Sequence, residues 1–96
     1  MRVVFDDEAL DDLRRIVARI ANDNRSAAEA LVSRVFDKAE RLATPELTEM
    51  GRPGLDPGTR ELIEYPYIIV YEVHPERGEI VVLSIVHGAQ DRKPKE

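Results

Sequence analysis

The sequence predicts an α+β fold, a small, mainly antiparallel β-sheet with an N-terminal helical hairpin packed on one face. Three observations support this prediction. The first half of the chain contains two segments in which apolar residues recur every three or four positions, as on one side of a helix. The second half contains short runs of β-branched residues separated by Pro and Gly. A short apolar run precedes the helices, so the predicted order is strand, helix, helix, strand, strand, strand.

The length and composition indicate one globular domain over residues 1–96. A chain of 96 residues with 43% hydrophobic and 34% charged residues has room for one core and lacks the composition of a disordered chain. The longest aliphatic run, residues 80–83, is far shorter than the roughly 20 residues of a membrane span. With no targeting segment or anchor visible and no cysteine, the expected location is the cytoplasm. The net charge of -5 argues against broad nonspecific binding to nucleic acid.

The first strand and the helical hairpin follow from local signals. Residues 2–5 are too few for a helix and are rich in β-branched and aromatic side chains, which favours a strand. The acidic cluster at 6–8 is expected to start the first helix, because negative charge is favourable at a helix N-terminus. Asn24 is expected to cap a second helix, whose apolar positions extend from residue 28 to residue 42. Helices joined so closely form an antiparallel hairpin.

A long loop and a three-stranded meander complete the predicted domain. Residues 43–58 contain three prolines and three glycines and are predicted to form a loop. The predicted strands are residues 60–64, 67–74 and 79–87. Between the last two, Pro75 suits the second position of a type I turn, and Gly78 suits the left-handed residue that closes it. Residues 88–96 contain Gly, Pro and alternating charges and are expected to form a loosely held tail.

Both faces of the predicted sheet are apolar. Successive side chains in residues 68–71 and 80–83 point to opposite faces, whereas two helices cover only one. Each aliphatic side chain left in water forgoes roughly 1.5 to 3 kcal/mol, and contiguous exposed patches of this kind usually mark a partner surface. A protein partner is therefore expected, and its candidate contacts are Ile68, Val70, Tyr71 and Val82. Two alternatives stay open: the loop and tail fold over this face, or a second copy of the chain covers it.

Residues suited to catalysis or metal binding are few. There is no cysteine nucleophile, and none of the serines lies in the glycine-flanked turn that presents an activated hydroxyl. Only His74, beside a turn, and His87, at a strand end, could ligate zinc, and a zinc site needs more ligands. We expect no catalytic residue, no metal and no cofactor. For His87, a structural role and a functional role are about equally supported, since strand ends commonly carry functional groups.

Four segments together resemble a known family. They are Gly-Arg-Pro-Gly at 51–54, Gly-Thr-Arg-Glu-Leu at 58–62, Pro-Tyr-Ile-Ile-Val-Tyr at 66–71, and Val-His-Gly-Ala-Gln at 86–90. In this order, after a helical hairpin, they resemble the RelE/ParE toxin superfamily, ParE-like branch. The similarity covers nearly the whole chain, with Leu55 standing where many relatives carry a second arginine.

The resemblance implies a toxin of a type II toxin–antitoxin pair. Its implied partners are a cognate ParD-like antitoxin, a ribbon-helix-helix protein whose C-terminal segment wraps the toxin, and DNA gyrase as the target inhibited by binding. Residues that share the branch's pattern and lie on loops, strand ends or the tail are the candidate target contacts. They are Arg52, Arg60, His87, Gln90, Arg92 and Lys93. Arg60 also has a simpler interpretation, an ion pair across the sheet.

The resemblance also separates two activities within the superfamily. RelE-like members cleave mRNA on the ribosome and carry basic residues at positions that correspond here to Ile68, Ala89 and Gln90. These three side chains cannot move protons or stabilise charge on phosphate, so no ribonuclease activity is expected. The alternatives are a ribosome-dependent mRNA interferase of RelE type and a non-toxic module that only pairs with the antitoxin.

Overall fold

The structure, a computed structural model, describes residues 1–88. Its strands and helices follow the predicted order, with one additional strand. They are β1 (Arg2–Phe5), α1 (Asp7–Asp23), α2 (Arg25–Arg41), β2 (Arg52–Pro53), β3 (Thr59–Glu64), β4 (Tyr67–His74) and β5 (Glu79–His87). The predicted α+β class is confirmed. Of the tail predicted at 88–96, only Gly88 lies within the described residues.

A single residue joins the two helices. Asn24 ends α1 by donating its backbone N–H to the Ile20 carbonyl at 2.8 Å. Its side chain also caps α2 by accepting the backbone N–H of Ala27 at 3.0 Å. This confirms the predicted cap, which satisfies one of the free N–H groups at the start of a helix. The connection is so short that α2 must return antiparallel to α1.

The five strands form one sheet in the order β1-β5-β4-β3-β2. β1 pairs with β5 in parallel, and the other three pairs are antiparallel. β2 was not predicted, because its two residues are too few to show any periodicity. Pro53 within β2 fits the edge of the sheet, where a missing backbone N–H breaks no ladder. The tight turn after β4 is confirmed, with Gly78 left-handed at φ 61°.

The helical hairpin covers one face of the sheet. Alternate strand residues pack against Leu13 of α1 and Val35 of α2 to form the core. The strand residues in this core are Leu62, Tyr67, Ile69, Tyr71, Ile80, Val82 and Ile85. Tyr71 and Val82 are both 0% exposed, so their predicted place on the open face is wrong. Tyr71 is three positions from Ile68 on β4, and Val82 is one position from Val81 on β5. Because an odd step along a strand changes the face, Tyr71 and Val82 lie on the face opposite to Ile68 and Val81.

The face away from the helices is apolar but less exposed than predicted. Ile68 and Val81 lie on this face and are 5% and 8% exposed. Val70 and Val86 are half-buried, and Ile63 is 43% exposed. The predicted two-sided apolar sheet is therefore present, but the exposed patch is concentrated at one end, where β3 passes into β4.

Tyr71 fixes the long segment between α2 and β3. Its hydroxyl accepts the backbone N–H of Gly51 and donates to the carbonyl of Thr48, each at 3.1 Å. Burial raises the pKa of the Tyr71 hydroxyl. Arg60 adds a second support by donating to the carbonyls of Gly51, at 2.8 Å, and Glu49, at 3.2 Å. A segment rich in Pro and Gly thereby becomes part of the fold.

Two basic residues of α2 tie the hairpin to β3. The guanidinium of Arg34 lies 3.0 Å and the ammonium of Lys38 3.2 Å from the carboxylate of Glu64. Lys38 also donates to the carbonyl of Ile63 at 2.6 Å. None of the helices within residues 1–88 has the length and apolar character needed to cross a membrane.

Candidate partner-binding site

Two depressions meet at the end of the sheet where β4 begins and β5 finishes. Tyr67 pairs with His87 across these strands, and their rings meet edge to face with centroids 5.5 Å apart. Both residues line both depressions. We call the depression near the β3–β4 turn the terminal groove and the one beside α1 the arginine cleft.

The terminal groove is mainly apolar and measures about 340 Å³. The described residues that line it are Ile63, Tyr65, Pro66, Tyr67, Ile68, His87 and Gly88. Tyr65 is 86% exposed because it occupies the turn between β3 and β4. Gly88 closes one side by donating its N–H to the Pro66 carbonyl at 2.7 Å. An exposed aromatic ring beside an exposed isoleucine is typical of a protein-binding surface.

The arginine cleft lies between α1 and the last residues of β5 and measures about 310 Å³. The described residues that line it are Asp12, Arg15, Ile16, Arg19, Tyr67, Ile85, Val86 and His87. β1 pairs with β5 only as far as Val82, so among residues 1–88 no strand lies beside that edge of β5 beyond Val82. Asp12 takes the place of that strand by accepting the Ile85 N–H at 3.0 Å. α1 therefore both covers the edge and forms a wall of the cleft.

The predicted target contacts that lie within residues 1–88 do not come together at one site. His87 lies at the junction of the two depressions, whereas Arg52 and Arg60 lie at the β2–β3 edge. Arg52 pairs at 3.0 Å with Glu61, whose side chain is 2% exposed. Arg60 holds loop carbonyls and does not pair across the sheet with an acid. Gln90, Arg92 and Lys93, like Ala89, lie outside the described residues.

Several residues of the site were missed by the sequence analysis. Tyr65 lies between the predicted strands 60–64 and 67–74 and was not among the predicted contacts, although a large aromatic residue at a turn is itself a sign of an exposed contact. Ile63 lies on β3, where its alternation with Leu62 places it on the open face. Arg19 and Tyr67 are far apart in the sequence, and only the packing of α1 on β5 brings them together. Among the predicted partner contacts, Ile68 lines the terminal groove, and Val70 lies on the same face.

The described residues also contain a small acidic cluster around His74. The ring nitrogen Nε2 of His74 lies 2.8 Å from the carboxylate of Glu72, and Nδ1 lies 3.4 Å from that of Glu76. The pKa of the Glu76 carboxyl is lowered by a hydrogen bond from the backbone of Glu76 itself and by a hydrogen bond from the His74 side chain. The cluster joins the end of β4 to the turn before β5, which is a structural role. Within residues 1–88, no group of three or more His, Cys, Asp or Glu side chains is placed to hold a metal ion.

Comparison with known proteins gives a family match over almost the whole chain. The family model described as ParE toxin of type II toxin-antitoxin system, parDE, matches residues 3–92. No curated protein sequence matches significantly.

Several solved structures share the fold. A chain of the chromosomal ParDE TA system from P. aeruginosa is 23% identical, with a TM-score of 0.77 over 91% of this chain and 95% of that one. The isolated E. coli RelE toxin is 21% identical, with a TM-score of 0.58 over 94% and 86% of the two chains. A chain of the RelBE2 toxin-antitoxin complex from Mycobacterium tuberculosis is 23% identical, with a TM-score of 0.56 over 93% and 92%.

Proposed function

From its membership of the ParE toxin family of type II toxin–antitoxin systems, to which this chain belongs, we propose that it acts by binding proteins and not by catalysis. One partner is a cognate antitoxin of ParD-like type, which neutralises the toxin. The other is DNA gyrase, which the free toxin inhibits by binding. Of these predictions, the match over residues 3–92 confirms the family alone.

The proposal of an antitoxin partner rests on the terminal groove. Ile63 and Tyr65 present apolar surface beside the half-buried Val86 of the same sheet end. Large apolar groups open to water are unfavourable unless a partner covers them. A C-terminal antitoxin segment that places apolar side chains in this groove removes that surface from water, by helix-in-groove or strand-addition contacts.

We propose that the chain has no ribonuclease activity, because uncharged residues stand where RelE-like members carry basic groups. Ile68 has an aliphatic side chain that is 5% exposed, so it neither contacts a phosphate nor moves a proton. Ala89 and Gln90 stand at the other two positions that the resemblance identifies. Inhibition of gyrase by binding needs none of these groups.

Copurification tests the antitoxin proposal. The chain is coexpressed with the small reading frame adjacent to its own, with a tag only on the second protein. We expect the wild-type chain to copurify and Ile63→Asp to be lost, because the carboxylate enters the apolar groove. Leu55→Asp is the matched control, since Leu55 is 39% exposed against 43% for Ile63 but lies outside the groove. A wild-type chain that stays unbound, or equal loss in both variants, contradicts the proposal.

Two assays run in parallel test the target. Purified chain is added to a gyrase supercoiling reaction and to a ribosome-dependent mRNA cleavage reaction, each with and without the antitoxin. We expect loss of supercoiling that the antitoxin reverses, and intact mRNA. Specific mRNA cuts would instead support the interferase alternative. No effect in either assay, with no growth arrest on induction, would support a non-toxic pairing module.

A further inference from the structure

The arginine cleft contains a positive charge that no group within residues 1–88 pairs with. α1 carries three arginines, of which Arg14 pairs with Asp11 at 2.6 Å and Arg15 with Asp12 at 2.5 Å. Among residues 1–88, Arg19 makes neither an ion pair nor a hydrogen bond. With respect to the described residues, its exposed guanidinium therefore has all its donors available for a ligand.

A second donor without a partner among residues 1–88 belongs to Tyr67, which also lines the cleft. Tyr67 is 6% exposed, yet within residues 1–88 its hydroxyl has no hydrogen-bond partner. No fully buried side-chain oxygen or nitrogen of the described residues lacks a partner, so this hydroxyl reaches the surface. A tyrosine buried up to its hydroxyl commonly uses that group in binding. The ring is held by the core and by His87, so the hydroxyl position is fixed.

The charges of the cleft favour a ligand with a single negative charge. Its lining includes two arginines and one aspartate, and these three groups together carry one formal positive charge. Asp12 is already satisfied by Arg15 and by the Ile85 N–H, and its negative charge opposes a dianionic phosphate. The apolar walls formed by Ile16 and Val86 favour a carboxylate carried next to apolar groups.

We propose that the arginine cleft binds the carboxylate of an acidic peptide segment. Arg19 forms the ion pair, and the Tyr67 hydroxyl donates a hydrogen bond to the same carboxylate. Apolar side chains that flank the acid contact Ile16 and Val86. This proposal goes beyond the proposed function, because the site recognises the chemistry of the segment. It applies to any partner protein that supplies such a segment.

A titration followed by NMR tests this site on the full-length chain alone, made by cell-free synthesis to avoid toxicity. The probe is the peptide N-acetyl-Leu-Glu-Leu-amide, and the signals followed are the Arg19 Nε–Hε and the Tyr67 ring. We expect saturable shifts of both. Replacing Glu by Gln in the peptide should weaken binding about tenfold, because a charge-assisted hydrogen bond is lost.

Variants of the chain separate the roles of the two residues. Arg19→Gln should weaken the peptide about tenfold for the same reason. Arg14→Gln, on the same helix but outside the cleft, should leave binding unchanged. Tyr67→Phe should weaken binding several-fold while the Arg19 signal still shifts.

Three results would overturn the proposal: equal binding of the Glu and Gln peptides, no effect of Arg19→Gln, or tighter binding of methyl phosphate than of the Glu peptide. The last result would assign the cleft to phosphate and hence to nucleic acid. The titration contains neither antitoxin nor gyrase, so its failure is distinct from failure of the proposed function.

Discussion

Replacing Tyr71 by Phe tests how the segment between α2 and β3 is held. The change removes one oxygen atom and leaves the buried ring in place. It deletes the hydrogen bond from the Gly51 N–H and the one to the Thr48 carbonyl, both 3.1 Å long. These two backbone groups have the Tyr71 hydroxyl as their partner in the interior of the protein.

The expected loss of stability follows from those two groups. A buried polar group that loses its partner costs about 1 to 3 kcal/mol, so for two such groups we expect a free energy of unfolding lower by about 2 to 6 kcal/mol. For a domain of this size each kcal/mol corresponds to roughly 4 to 8 °C in Tm. Urea unfolding followed by circular dichroism measures the change. Tyr65→Phe is the control, because Tyr65 is 86% exposed and its variant should stay within about 0.5 kcal/mol of wild type.

Hydrogen exchange at the Gly51 amide tests directly whether the Tyr71 hydroxyl holds this N–H group. If the hydroxyl holds this amide, its protection should fall in Tyr71→Phe more than the global loss of stability requires. Two results would refute the reasoning: a stability loss no larger than that of Tyr65→Phe, or an unchanged Gly51 amide in a destabilised protein.

Two further variants probe the packing and the ion pairs. Gly51→Ala would place a Cβ 2.7 Å from the carbonyl oxygen of Glu61, so we expect about 1 to 3 kcal/mol of destabilisation in urea unfolding, and a neutral effect would contradict this close approach. Burial alone raises the pKa of Glu64, but hydrogen bonds from Lys38 and Arg34 outweigh it and hold the pKa below 4.5. Since a lowered folded pKa stabilises the fold above the unfolded value, stability should fall as the pH drops below 4.5. The Glu64→Gln variant should lose less stability than the wild type as the pH drops below 4.5. Equal losses of stability in the variant and the wild type would exclude the ion pairs as the cause.

Local signals in the sequence were sufficient for the helices and most strands. Asn24 was predicted as a cap because its requirements are met within three residues along the chain. The bounds of β4 and β5 were also predicted, since β-branched runs between turn residues leave few alternatives. β2 was missed because it exists only through pairing with β3.

The candidate site was predicted less well, because its residues meet only through tertiary packing. Tyr71 was expected on the open face, but the alternation along β4 and the core contacts place it beneath the helices. A continuous apolar run does not reveal which of its residues face inward. Arg60 was expected to contact a target, yet its partners are loop carbonyls whose position no local pattern specifies.

The parallel pairing of β1 with β5 has a consequence for how the chain matures during synthesis. Arg2 is opposite Glu79, so β1 pairs with a strand that is synthesised after both helices and three other strands. β5 also lies between β1 and β4, and the sheet stays divided until residues 79–87 have emerged. Contacts so distant in sequence form late in folding. A chain whose synthesis stops before residue 79 therefore has neither the groove nor the cleft, and both binding surfaces form only after β5 has left the ribosome.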